Sequence, residues 1–424
     1  MKKRFKILLL AAASMTATFQ FMSCSEDLGP TIFDTTEYPL DRKSYTFPLD
    51  TFVKVNFLKP YNMQFIYRLD YTGSDMDKNL TPASYDKSCK LAVLTKYLWY
   101  DVYKEIAKEH EIFLKRYSPR IIHVIGSKNL NTSSGTETLG VTEGGTKITL
   151  YRTNLLDPND IDYMNEYFFE TMHHEFGHIL DQTKLHPTTF NVLSNGRYNS
   201  AGWSDVPDSV AASQGFISPY ASASYSEDWV ETLARYITRD SISMEKMMHT
   251  AEVEWEEIDL TDKDGNEEVE PADYTYMLKG TFDIDTIGYF KDDESGKGEY
   301  KVYRRVCLRD GNDHVILGED GKPQWVPNIT NARQIIEEKI RFVKEYMLTQ
   351  YGVDIDKLRY AVQEKQFLKG DDGQFLTENY FNMTNYRMEK RLVNAIMYIY
   401  PETGKTKLDE LLEELEAYKV LQTK

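Results

Sequence analysis

The chain is poor in cysteine, has no surplus of positive charge and carries a single marked apolar run. Three cysteines in 424 residues (Cys24, Cys89 and Cys307) exclude a disulfide-stapled scaffold. Cys89 and Cys307 also lack the spacing of a zinc-binding pair. Lys and Arg number 50 against 67 Asp and Glu, a formal charge of -17. That balance argues against nucleic acid or an anionic lipid surface as the main partner. The apolar run, Ile7 to Ala13, is too short to span a bilayer, and no other stretch is long or apolar enough. With 41% hydrophobic residues the chain can bury one large core or two smaller ones.

Histidine is scarce too, only eight in all, yet two of them fall in His174-Glu175-Phe176-Gly177-His178. This H-E-x-x-H run sits in a segment that reads as a helix, begun by Asp157-Pro158-Asn159-Asp160. Tyr163, Tyr167, Thr171, His174 and His178 then recur at spacings of three and four, one stripe on one face. Residues four apart on a helix lie one turn apart, so both imidazoles can reach one zinc ion. Glu175, rotated by about 100°, is placed to act on a water rather than on the metal. That pattern is the chemistry of zinc-dependent hydrolysis, with Glu175 as general base.

A catalytic zinc needs a third protein ligand and an open fourth position. His173, His186, Asp181 and the acidic cluster Glu227-Asp228-Trp229-Val230-Glu231 are the candidates. His173 falls on another face of the helix. His186 and Asp181 would suit a compact site, but a three-histidine extension wants Gly where Asp181 stands. The Glu227 cluster opens a second amphipathic helix with Val230, Leu233, Ala234 and Ile237 on its apolar side, so helix capping competes with metal ligation there.

The run His174 to Asp181, then Ser218-Pro219-Tyr220 and Glu227 to Glu231, resembles the gluzincin metallopeptidases related to lethal-factor-type toxins. Tyr220 stands seven residues before Glu227, as in that pattern. The resemblance implies His174, His178 and Glu227 as zinc ligands, Glu175 as base, Tyr220 as oxyanion donor and Glu231 as the partner that orients a ligand. A second resemblance covers more of the chain. Phe57 to Asn62, Tyr67 to Asp70, Leu98-Trp99, Gly140 to Gly145, Phe342 to Tyr346 and Gly352 to Asp356 are similar to zinc metallopeptidase lipoproteins of Bacteroidetes. These are described as substrate import-associated zinc metallohydrolase lipoproteins. That resemblance implies a peptide or protein substrate, and as neighbours a TonB-dependent importer and its SusD-like lipoprotein.

The N-terminus agrees on separate grounds. Lys2, Lys3, Arg4 and Lys6 precede the apolar run, as in a cleavable signal peptide, which ends at Phe21-Met22-Ser23-Cys24, a lipobox-like site. Acylated Cys24 would anchor the chain on a membrane, which the resemblance implies is the outer membrane. Ser25-Glu26-Asp27 resembles the acidic surface-export tag of these lipoproteins, so the expected location is the cell surface. Removing four basic residues takes the charge from -17 to near -21.

The expected fold is α+β: a zincin-like metallopeptidase domain with a small mixed sheet and an active-site helix, a β-rich insertion and a helical C-terminal region. The expected boundaries are 1–23 signal peptide, 24–44 lipid-anchored tether, 45–244 catalytic domain, 245–328 acidic insertion and 329–424 helical region. A long helix is predicted over 81–117, opened by Pro82 and Ala83. Arg120 to Ile125 reads as a buried strand with His123 in the core. Glu137 to Thr142 and Lys147 to Tyr151 flank a turn, a hairpin that serves either as core or as an edge for substrate addition. Asp262 to Glu267 resembles the start of a calcium loop, but Glu267 stands where the turn needs Gly, and it reads as a solvated turn. Two other functions fit the same residues: a zinc hydrolase acting on an amide or ester of a glycan-linked substrate, or a substrate-capturing lipoprotein with a structural zinc. An intact Glu175 argues against the last.

Overall fold

The computed structural model describes residues 40–70, 78–107, 110–130, 137–143, 146–258, 284–290, 298–382 and 387–422. One compact unit runs from Lys43 to Lys424. The signal peptide, Cys24, the tether up to residue 39 and the Asp262–Glu267 loop lie outside the described residues.

The first helix, α1 (residues 47–61), leads through Asn62 in the left-handed region into β1 (Gln64–Ile66). Helix α2 (residues 85–106) follows, then α3 (His110–Tyr117). The helix predicted over 81–117 therefore starts later and breaks. The Ser84 side chain caps the N-terminus, while Pro82 is bridged to Ile125 in an extended pairing. Ala107, at ψ 127°, ends α2.

Strands β2 (Ile121–Val124), β5 (Gly140–Glu143) and β6 (Lys147–Leu150) join β1 in a sheet of order β1-β2-β6-β5. A separate small pair, β3 (Asn129–Leu130) with β4 (Glu137–Thr138), precedes the hairpin. β1, β2 and β6 run parallel, and β5 returns antiparallel with Val141 opposite Thr149, so β5 is the sheet's outer strand. The inner strands bury Ile122, Val124, Ile148 and Leu150, and His123 is buried among them. Parallel strands covered on both faces carry such apolar runs.

The long helix α4 (residues 161–183) crosses beside this sheet. Asp160 caps it by accepting from the Tyr163 N–H, and a π-turn over Asn165–Phe169 interrupts it before the segment Glu170–Thr183. Single π-turns inside α-helices recur at functional sites. Phe168, Phe169, Met172 and Phe176 are buried, with Trp99 edge-on to Phe176 at 5.1 Å. After α5 (Thr188–Val192) and α6 (Asp208–Ser213), helix α7 (Tyr225–Thr238) is capped by Ser224, which accepts from the Glu227 N–H. Val230, Leu233, Ala234 and Ile237 form its buried face, as the periodicity predicts. α4 and α7 pack tightly at Gly177: a Cβ there would lie 3.0 Å from Val230 Cγ1 and 3.3 Å from Leu233 Cδ2, so those side chains would have to yield by a few tenths of an ångström.

Helix α8 (Ser241–Ala251) runs across the expected boundary at 245. Beyond it β7 (Trp255–Ile258), β8 (Ile284–Phe290) and β9 (Gly298–Arg305) form an antiparallel sheet of order β7-β9-β8. The stretch 329–424 holds α9 (Ala332–Tyr351), α10 (Ile355–Gln366), the hairpin β10 (Thr377–Asn382) with β11 (Arg387–Leu392), and α11 (Lys407–Glu416). Helix α9 is joined to α7 by a fully buried ion pair, Lys339 Nζ to Asp228 Oδ2 at 2.6 Å. Cys89 and Cys307 are free thiols.

Candidate metal centre

α4 and α7 cross so that His174, His178 and Glu227 face one another, with one candidate ligand atom from each lying within 4.8 Å of the other two. His174 Nε2 is 3.2 Å and His178 Nε2 3.3 Å from Glu227 Oε2. These contacts are close, yet Oε2 is buried and makes no hydrogen bond of acceptable geometry. A buried carboxylate oxygen left in this way is costly unless something else satisfies it. Two imidazole nitrogens and a carboxylate oxygen are a donor set that zinc accepts, so the residues fit the metal.

The tautomer of His174 follows from its other nitrogen. Nδ1 donates to Glu231 Oε1 at 2.7 Å, which leaves the Nε2 lone pair for the shared point. Glu231 Oε2 accepts from Ser218 Oγ at 2.5 Å and from Arg235 Nε at 3.2 Å. Arg235 Nε also lies 2.9 Å from Glu170 Oε1, one turn before His174 on α4. Burial pushes the Glu227 carboxyl up, but the imidazoles of His174 and His178 outweigh it and hold it well below the usual carboxylate range. Burial also pushes Glu231 up, and the bond from His174 with the charge of Arg235 brings it net downward. His174 is drawn the other way: burial lowers its pKa, and Glu227 and Glu231 raise it further than burial lowers it.

Tyr220 opens a 3-10 turn (Tyr220–Ala223), and its ring stacks on His174 at 5.8 Å with an interplanar angle of 26°. Trp203 packs edge-on against it at 4.8 Å. Burial, then the carboxylates of Glu227, Glu231 and Glu175, push the phenol well above its ordinary pKa, which keeps it a hydrogen-bond donor. Glu175 is buried on the sheet side of α4. Gly140, first residue of β5, comes close: a Cβ there would lie 2.3 Å from Thr171 Cγ2 and 3.5 Å from Glu175 Oε1.

The other candidates for a third ligand are placed elsewhere. His173 is packed between Trp99 and Tyr103, and burial pushes its pKa down to about 3. Asp181 Oδ1 accepts from His186 Nδ1 at 2.9 Å and from the His186 N–H at 2.7 Å. The His186 ring lies flat on Trp229, 4.8 Å away. Sequence reasoning missed Ser218, Arg235, Glu170, Trp203 and the close approach of Gly140. Arg235 stands four residues after Glu231 and Glu170 four before His174, spacings that could have suggested facing charges; nothing marks Ser218 beyond its place in the Ser-Pro-Tyr run.

An α+β zincin-like fold, with a His-His-Glu cluster on crossed helices beside a mixed sheet, defines a metallopeptidase class. Within it, this chain belongs to the family described as "Putative zinc-binding metallo-peptidase", which matches residues 42–356. A crystal structure of the same description, from Bacteroides caccae ATCC 43185, is similar at 28% sequence identity and a TM-score of 0.50, covering 77% of this chain and 93% of that one. No curated protein matches the chain.

Proposed function

We propose that this protein is a zinc-dependent peptidase of the HExxH type with glutamate as third ligand, cleaving peptide bonds. The observation that carries this is the buried, unsatisfied Glu227 Oε2 facing His174 Nε2 and His178 Nε2. His174, His178 and Glu227 would hold the ion. Zinc in such a site supplies Lewis acidity towards water and towards a carbonyl. Glu175 then takes the proton from the attacking water and passes it to the leaving amine. Tyr220, protonated and stacked on His174, donates to the oxyanion as it forms. Glu231 keeps the His174 ring in register. Among the described residues no strand pairs with the outer edge of β5, whose first residue lies beside Glu175. That edge can offer backbone N–H and C=O groups to an extended peptide, which favours a peptide over a glycan-linked ester.

Glu175→Gln tests the assignment, because it keeps size and metal and removes the base. Turnover of a peptide library should fall by about two orders of magnitude or more, with zinc content unchanged. A variant as active as the parent would leave hydrolysis at this centre without support.

The location is proposed on other grounds: the basic and apolar N-terminus ending at Cys24, the acidic Ser25-Glu26-Asp27 and the resemblance to import-associated lipoproteins. On this reading acylated Cys24 holds the enzyme on the outer face of the outer membrane, beside a TonB-dependent importer and its SusD-like lipoprotein, where cleavage releases fragments for uptake. Palmitate labelling that persists in Cys24→Ser would defeat the anchor. Protection of the protein from protease added to whole cells would defeat the surface location.

A further inference from the structure

We propose that Ser218 is a positioning residue for Tyr220, and that through Glu231 one carboxylate sets both the His174 ring and the phenol beside it. The inference rests on the peptidase reading above only for its kinetic consequence; the placement itself is read without turnover. Ser218 is fully buried, and its hydroxyl is used at both ends. It donates to Glu231 Oε2 at 2.5 Å and accepts from the Ala221 N–H at 3.0 Å. The backbone one residue past Tyr220 is thereby fixed to Glu231. The Pro219 carbonyl accepts from the Ser222 N–H at 2.9 Å and from Ser222 Oγ at 2.6 Å, which closes the turn that carries Tyr220.

Glu231 itself cannot drift. Its other oxygen is taken by His174 Nδ1, and Arg235 Nε donates to Oε2 while its guanidinium pairs with the Glu170 carboxylate on α4. A hydrogen bond to an ionised carboxylate is roughly twice as strong as a neutral one. Ser218 to Glu231 is therefore the stiff link between the turn and the metal helix. A serine hydroxyl held by a base can also serve as a nucleophile. Here the hydroxyl has no exposed surface and already accepts from Ala221 N–H, so no substrate atom reaches it.

The test is a cycle of Ser218→Ala, Tyr220→Phe and the double variant, in the zinc-loaded full chain. Ser218→Ala should lower kcat by roughly ten- to a hundredfold, the scale of a misplaced catalytic group, with KM and zinc content nearly unchanged. In the Tyr220→Phe background the same change should cost less than about threefold, since the phenol it places is gone. Equal costs in both backgrounds overturn the inference. Should Ser218→Ala fail to fold, Ser218→Cys, with a weaker donor of similar shape, enters the same cycle and should give an intermediate kcat. Independently, the fluorine resonance of 3-fluorotyrosine placed at position 220 should shift in the Ser218 variant of the metal-free protein. An unmoved resonance overturns the inference whatever the enzyme hydrolyses. Loss of all activity dependence on Glu175, with a shifted resonance, sinks the peptidase reading and leaves the placement standing.

Discussion

Asp228→Asn should destabilise this protein by about 3–5 kcal/mol, the range for breaking a buried ion pair from one side. The pair is Lys339 Nζ to Asp228 Oδ2 at 2.6 Å, with both side chains wholly buried. Lys339 also donates to the Gly215 carbonyl at 2.7 Å and lies 4.2 Å above the Phe216 ring, so partial compensation remains. Burial pushes the Lys339 pKa down and the Asp228 pKa up, and the attraction between them resists both shifts. With the carboxylate gone, the lysine can shed its proton instead of staying charged. At pH 7.5 that costs about 4 kcal/mol, from an unfolded pKa near 10.4 at about 1.36 kcal/mol per unit, which falls in the middle of the stated range. With an unfolding entropy of about 2.1 cal/mol/K per residue over roughly 380 residues, 4 kcal/mol corresponds to a fall in Tm of about 5 °C. The assay is thermal unfolding at pH 7.5, with and without chelator. Adding Lys339→Met should restore much of the loss, because a buried pair replaced by apolar groups is often neutral. A fall below about 1 kcal/mol for Asp228→Asn, or a double variant no more stable than the single one, would refute this reasoning. Since Glu227 precedes Asp228 on α7, the single variant should also release zinc more readily to a chelator.

Metal analysis should find about one zinc per chain, lost in His178→Ala and in Glu227→Ala and retained in Asp181→Ala; zinc loss in the Asp181 variant would return the third ligand to the compact arrangement. Gly140→Ala should cost about 1–3 kcal/mol of stability through the clash with Thr171 Cγ2, and Thr171→Ala in the same chain should recover it; unfolding curves that show no such rescue would dissociate the two residues. Burial lowers the His186 pKa, but Asp181 raises it more, to a net rise. The stabilisation is therefore complete below the unfolded value of about 6.5 and fades as pH climbs through the raised value. Asp181→Asn should thus destabilise most near pH 5.5 and least at alkaline pH; a penalty that grows with pH would reverse that assignment.

The active-site helix was legible because its chemistry is local: His174, Glu175 and His178 declare themselves within one turn and a half, and the start signal Asp157 to Asp160 stands just ahead of the helix, although Pro158 lies outside it and Asp160 is the cap. The partner helix was half legible. Its apolar face follows from periodicity, whereas the bearing of Glu227 on the histidines depends on how α4 and α7 cross, and no period encodes a crossing. Ser218, Arg235 and Lys339 act across 13, 65 and 111 positions respectively, to Glu231, Glu170 and Asp228. Only the Arg235–Glu170 pair left a hint, in the four-residue spacings to Glu231 and His174; the other two bonds leave no trace in composition or spacing. The long helix over 81–117 failed at its ends, since helical propensity cannot foresee that Pro82 pairs with Ile125 or that Ala107 turns extended. The stripe through Tyr163 and Tyr167 assumed an unbroken period of 3.6, and the π-turn over 165–169 shifts those tyrosines relative to His174.

The outer edge of β5, unpaired with any strand among the described residues, has a second consequence. An edge strand that can take up a peptide can equally take up the edge of another molecule, because backbone hydrogen bonding does not recognise side chains. Most proteins blunt such edges with charge, proline or a covering helix. Here Gly140 begins the strand, and its contact with Thr171 on α4 leaves no room for a larger side chain at that position. The strand is only four residues long, Gly140–Glu143, which limits how much pairing a second copy can gain. If the proposed strand addition holds, crowding these molecules at high local density would set copy against substrate for one strand, and dispersal would favour activity.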